Sequence, residues 1–152
     1  MFVEDKKKKL FKITIMSNSI TKKKIFNDPV YGFISVPYEL ILELIDHPYF
    51  QRLRRIKQLG LSDLVYPGAL HTRFHHVVGC TNLMQQAVEV LRSKGHEITD
   101  EEAKGVTLAI LLHDIGHGPY SHALEHTIAK GVHHEELSLL FMKKLNEEFN
   151  GQ

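Results

Sequence analysis

The sequence predicts a single, mainly helical domain that opens with a short β-hairpin. Three observations predict it. From Pro37 onward, apolar residues recur at helical spacing between recognisable helix start and stop signals. Two β-rich segments flank Asn27, Asp28 and Pro29, whose turn chemistry suits a hairpin or paired extended segments. The chain has 152 residues and is 43% apolar, enough for one modest core.

The elements follow in order. "KKKIFNDPVYGFISVP" supplies the hairpin. Pro37 stands at the first turn of a helix whose apolar positions are Leu40, Ile41, Leu44 and Ile45. Pro48 starts a second helix, "PYFQRLRRIKQLG", which Gly60 closes as a C-terminal cap. After a loop with Pro67 and Gly68, the segment "HTRFHHVVGCTNLMQQAVEVLRSKG" reads as a long helix ended by Gly95. Thr99 and Glu102 form a capping box for "DEEAKGVTLAILLHD", a helix apolar on most faces in its last two turns, as expected of a central element. Residues 121–129 and 134–149 read as two more helices. The organised sequence begins after Met16, an alternative start, so residues 1–21 are expected to be a disordered extension.

Charge and composition exclude several classes. Nineteen Lys and Arg against eighteen Asp and Glu give no bulk electrostatic attraction for nucleic acid or membrane. No apolar run approaches the ~20 residues needed to span a bilayer, and no targeting signal is read, because Lys12 interrupts the N-terminal apolar patch. The single cysteine, Cys80, rules out an internal disulfide framework and fits a reducing, cytoplasmic compartment.

The chemistry concentrates in "LLHDIGHGPYSH". His113 and Asp114 follow directly on an apolar helix end, where desolvated imidazole and carboxylate need partners. A divalent metal is one such partner, and a plain helix-terminal hydrogen-bonded pair is the alternative. The dipeptide is not isolated: His75 and His76 open another helix, His117 and His122 follow at once, and His133, His134 and Glu135 begin a later one. Arg52, Arg54, Arg55 and Lys57 read as a solvated basic helix face, and His122 and His126, four apart, could equally be surface histidines.

Taken in order, "NDPVYGFI", "PYFQRLRRIKQLG", "VYPGALHTRFHH", "LLHDIGHGPYSH" and "HHEE" resemble the HD-domain metal phosphohydrolases, and within them the dGTPase-like deoxynucleoside triphosphate triphosphohydrolases. The likeness runs from about residue 24 to residue 149. It implies an all-α HD-domain helical bundle behind the hairpin, with residues 22–152 as the N-terminal portion of a longer family domain. It also implies one divalent metal ion, with Mn, Fe, Zn, Mg, Co and Ni left undistinguished, held by His76, His113, Asp114 and a distal aspartate. His75 falls outside that ligand set. His117 and His134 are implied as catalytic groups. Gln58, Arg73 and His122 are implied as substrate contacts, Gln58 beside the deoxyribose and the other two at the phosphates.

The implied reaction splits a deoxynucleoside triphosphate into deoxynucleoside and intact triphosphate. Asp46, Gln51 and Arg54 resemble residues that bind a regulatory nucleotide between subunits, so a homo-oligomer is expected; membrane and nucleic-acid partners are not. No aspartate follows Asp114, only glutamates such as Glu135 and Glu136, and the sequence stops at "NEEFNGQ". The expectation is therefore a bundle incomplete at its C-terminus and a metal site short of one ligand. Two alternatives stay open: an HD-type nucleotidase or phosphodiesterase, and a nucleotide-binding or oligomerisation module with weak catalysis or none.

Overall fold

A computed structural model describes residues 24–120, 122 and 131–151. The expected extension over residues 1–21 lies outside the described residues, as does the helix expected over 121–129 apart from His122.

Asp28 closes the hairpin. Its Oδ1 accepts the backbone N–H groups of Val30 (2.8 Å) and Tyr31 (3.0 Å), the local turn that an aspartate ahead of proline favours. β1 (Ile25–Asp28) therefore pairs antiparallel with β2 (Gly32–Ser35), Ile25 opposite Ser35 and Asp28 opposite Gly32. Ile34, only 2% exposed, anchors this sheet in the core.

α1 (Glu39–Asp46) starts two residues after Pro37, with Tyr38 as N-cap, so Pro37 stands just outside the helix rather than in its first turn. It buries Ile41, Leu44 and Ile45, the stripe its periodicity predicts. His47 ends it, and its Nδ1 accepts the N–H of Tyr49 to cap α2 (Pro48–Gln51).

The single helix expected from Pro48 to Gly60 is not formed. α2 passes into a 3-10 turn over Arg52–Arg55, and Ile56 adopts extended dihedrals. The reason is non-local: Lys57 bridges Thr72, with Arg73 N–H donating to Ile56 O (2.8 Å) and Gln58 N–H to His71 O (3.1 Å). Pairing with a distant segment thus replaces the helical ladder. Gly60 does take the left-handed conformation expected of it, φ +59°, but in a turn that lies 3.1 Å from Tyr120 O, measured from where a Cβ would stand.

α3 (Arg73–Ser93) runs for 21 residues from a capping box of Thr72 and His75. α4 (Asp100–Leu112) starts at the expected box, in which Thr99 Oγ1 accepts Glu102 N–H (3.2 Å) and Glu102 Oε2 accepts Thr99 N–H (2.9 Å). α3 and α4 make the most extensive helix–helix packing. α4 buries one face, Ala103, Thr107 and Leu111, while Val106 stays 40% exposed, so among the described residues it is less central than its composition suggested. α5 (His134–Glu148) closes the described fold over Leu145 and Phe141. The common core joins Ile34, Ile41, Ile45, Phe50, Leu53, Phe74, Val77, Leu111 and Ile115, so the expected mainly helical domain with an N-terminal hairpin is what the chain forms.

Candidate metal centre

Leu111 and Ile115 are fully buried and bracket His113 and Asp114. Those two anchors fix the end of α4 and display the polar pair at the edge of the core. His113 directs Nδ1 at the carbonyl of Ile110 (2.6 Å). A carbonyl can only accept, so Nδ1 carries a hydrogen, and Nε2 is the ring nitrogen turned toward the carboxylate, 3.3 Å from Asp114 Oδ1. From the first turn of α3, His76 brings Nε2 to 3.7 Å from Asp114 Oδ2. The three candidate donor atoms of His76, His113 and Asp114 lie within 4.8 Å of one another.

That donor set suits a divalent ion. Two neutral imidazoles and a carboxylate are ordinary ligands, and a tetrahedral ion with bonds of about 2.0–2.1 Å keeps its ligands about 3.4 Å apart. Each imidazole approaches one oxygen of the Asp114 carboxylate at close to that distance, His113 at 3.3 Å from Oδ1 and His76 at 3.7 Å from Oδ2. His75, expected to stand outside the set, instead caps α3 through Thr72.

Asp114 is buried, and its charge is held by more than histidines. Arg73, itself 5% exposed, donates from one terminal nitrogen to Asp114 Oδ2 (2.5 Å) and from the other to Gln58 O (3.4 Å). Burial alone would push the Asp114 carboxyl up. The hydrogen bond from His117 and the charges of His113 and Arg73 outweigh it and hold the group well below the usual carboxylate range. Burial pushes His117 down more than Asp114 raises it, and does the same to His76, so both imidazoles favour the neutral form.

A second cluster adjoins the first. His117, 2% exposed, faces Asp114 Oδ1 through Nε2 (3.4 Å) and stacks on His134 with ring centres 3.9 Å apart. His122 stands edge-on to both, at 5.1 and 4.9 Å. His117 and His134, expected as catalytic groups, and His122, expected at the phosphates, are thus brought together. Gln58 lies at the junction of two clefts: one of about 480 Å³ with Tyr120 and His122, another of about 610 Å³ with Tyr31, His71, His76 and Cys80. Away from the centre, Asp46, Gln51 and Arg54 line a separate cleft of about 510 Å³, where Arg54 Nε donates to Gln51 Oε1 (2.8 Å).

The turn that follows Asp114 is held from two sides. Ser138 Oγ of α5 accepts the N–H of Gly116 (2.9 Å) and donates to His113 O (3.2 Å). On the other side Arg52 donates to the carbonyls of Ile115 and His117. Neither contact was expected from the sequence, where Arg52 belonged to a solvated face and Ser138 carried no motif.

The helical fold and the buried histidine–aspartate centre define this molecule as an HD-domain protein: residues 73–150 match the HD domain family, and the chain belongs to it. Among particular relatives, it is 47% identical over 104 residues to the deoxynucleoside triphosphate triphosphohydrolase SAMHD1 of Danio rerio, covering 67% of this chain and 17% of that protein. It is 40% identical over 129 residues to the SAMHD1 homolog of Dictyostelium discoideum, covering 80% of this chain and 25% of that one. A crystal structure of a phosphohydrolase from Bacteroides thetaiotaomicron superposes with a TM-score of 0.82 at 58% identity, covering 86% of this chain and 32% of that chain. The chain therefore spans a quarter or less of the length of these two curated relatives. Among the described residues, no helix is long and apolar enough to cross a membrane.

Proposed function

We propose that the chain carries the metal centre of a phosphohydrolase that converts a deoxynucleoside triphosphate to deoxynucleoside and triphosphate. One observation carries the reading: a buried, anionic Asp114 with His76 and His113 at ligand distance, bordered by the stacked His117 and His134. The kinship with proteins named as deoxynucleoside triphosphate triphosphohydrolases supports the substrate class.

His76, His113 and Asp114 would hold the ion. When bound, a divalent cation supplies Lewis-acid polarisation of a phosphoryl oxygen and eases deprotonation of water. In the reaction the oxygen of water bonds to the α-phosphorus and the bond from that phosphorus to the sugar O5′ breaks. One proton leaves the water and one reaches O5′. His134 and His117 are assigned to that traffic, because neutral imidazole can accept a proton and return it near neutral pH. His122, at the mouth, and Arg73, through its fixed positive charge, would bind phosphate oxygens, and Gln58 would orient the sugar. We assign the cleft of Asp46, Gln51 and Arg54 to a regulatory nucleotide shared between copies of the chain.

The test is product analysis. Each deoxynucleoside triphosphate is incubated with the purified chain and Mn²⁺, Mg²⁺ or Zn²⁺, and products are separated by anion exchange. Deoxynucleoside and intact triphosphate are expected, with both lost on chelation and in Asp114→Asn. Monophosphate with pyrophosphate, or turnover that survives chelator, would sink the reading.

A further inference from the structure

Arg52 makes an unusual use of a guanidinium. It stands at the start of the 3-10 turn after α2, half-buried, and among the described residues it donates to main-chain carbonyls rather than to a carboxylate. One terminal nitrogen donates to His117 O at 2.6 Å and the other to Ile115 O. Its charged carbon lies 4.7 Å from the ring centre of Phe141 on α5, which covers the guanidinium from the other side.

The location of those carbonyls matters. α4 ends at Leu112 with His113 as C-cap, and the next residues turn away from the helix axis. Carbonyls beyond a helix C-terminus lack intrahelical partners and lie at the negative end of the helix dipole, where a cation is favourable. Asp114 falls between the capped helix end and the two clamped carbonyls. The planar fork fixes two points at once, which sets the rotation of the turn as well as its position; a lysine ammonium would fix one. His117 is gripped at its own carbonyl, so the clamp also fixes where its ring stands, 3.4 Å from Asp114 and stacked on His134.

We propose that Arg52 is a positioning residue of the metal centre: by clamping the Ile115 and His117 carbonyls it sets the Asp114 carboxylate against His117, His113 and His76. This rests on the metal-centre reading above. It goes beyond that reading by giving a function to an arginine that touches none of the candidate ligands through its side chain.

The test uses the full chain in four forms: unsubstituted, Arg52→Met, Arg52→Lys and, as control, the exposed neighbour Arg55→Met. Met keeps an apolar stem over Phe141 and removes the donors; Lys keeps the charge and one-point donation. Mn²⁺ affinity is measured by calorimetry, folding by circular dichroism, and imidazole ¹⁵N resonances by NMR of the metal-free chain. Loss of a group that orients ligands costs about 10- to 100-fold in metal affinity. Arg52→Met is therefore expected to lose that much while retaining helical content, with Arg52→Lys between it and the unsubstituted chain and Arg55→Met unchanged. The metal-free Arg52→Met chain should also shift the His117 imidazole resonances.

Affinity within twofold of the unsubstituted chain in both Arg52 variants, with unmoved resonances, would overturn the proposal. So would a loss that only tracks the unfolded fraction. If Arg52→Met does not fold, Arg52→Lys decides by the same readouts. If the unsubstituted chain takes up no Mn²⁺, the metal-centre reading fails, and the imidazole resonances still decide whether Arg52 holds the turn.

Discussion

Replacing Gly116 by alanine tests how tightly α5 is seated on the turn that carries Asp114. A Cβ at Gly116 would stand 2.1 Å from His134 O, 2.4 Å from Ser138 N and 2.6 Å from Ser138 Oγ. The first is about 1.3 Å short of the 3.4 Å at which ordinary contact begins, and two of the three atoms are backbone, which no rotamer change can move. α5 must shift. Overpacking costs about 1–3 kcal/mol, and the upper end applies because the Ser138 hydrogen bonds to Gly116 and His113 are lost with the shift. Reduced freedom of the unfolded chain returns about 0.4–1 kcal/mol, so the net loss is about 2–3 kcal/mol. At about 2–4 °C per kcal/mol for a domain of this size, Tm should fall by roughly 4–12 °C. Gly105 on α4 supplies the opposite sign: nothing lies within 4 Å of its Cβ position, so Gly105→Ala should stabilise by about 0.5–1 kcal/mol. Urea melts of both variants decide. If Gly116→Ala matched or exceeded the unsubstituted chain in stability, the packing of α5 against the turn would be wrong.

Two further outcomes follow from the charges. Asp114→Asn leaves Arg73 buried without its anion, which costs about 3–5 kcal/mol for a buried pair; the lower end applies, because His76 and His113 are 30% and 35% exposed and admit water. Tm should drop by roughly 6–12 °C, and calorimetry should show metal affinity lost with it. The pH dependence has a definite sign. His76 and His117 sit below their ordinary 6.5 in the folded chain, so their contribution is complete above pH 6.5 and declines as pH falls toward their folded values, while the unfolded chain takes up the protons. Asp114, held below its ordinary 3.8, adds a second loss only below that pH. Urea midpoints of the metal-free chain should therefore be flat above pH 6.5 and fall below it; a midpoint that rose on acidification to about pH 5.5 would contradict the neutral histidines.

What the sequence disclosed was local. The Thr99 and Glu102 box, Pro48 at a helix start and the Asp28 turn each depend on residues within a few positions, and each formed as expected. Residues 48–60 carry helical apolar spacing too, yet the bridge from Lys57 to Thr72 breaks the helix, and nothing within the segment announces a partner fifteen residues on. The site divides the same way. The histidines were legible because they cluster at helix ends in ordered motifs, and the fold does bring His117, His122 and His134 together. Arg52 was not, since its carbonyl partners are 63 and 65 residues away and backbone acceptors leave no mark on residue type. Gly116 lay inside a recognised motif, but nothing around it in the sequence marked it as a point of close packing. Its neighbours show that it is needed for space, because α5 approaches where a side chain would be.

The protonation states bear on how the centre would take up an ion. Asp114 is already anionic through Arg73 and the histidines around it, and His76 favours the neutral form through burial. His113 has its Nδ1 hydrogen committed to Ile110 O, which leaves Nε2 as the donor. Near neutral pH neither Asp114 nor His76 then has to shed a proton, in contrast to thiolate sites, where binding is coupled to deprotonation. The cost of keeping a carboxylate buried is met by Arg73 whether or not a metal is present, so the ligands are assembled by the fold rather than by the ion. Metal affinity should therefore stay level near neutral pH and fall only as pH drops through the folded value of His76, below its ordinary 6.5, so its decline should begin at lower pH than the decline in stability.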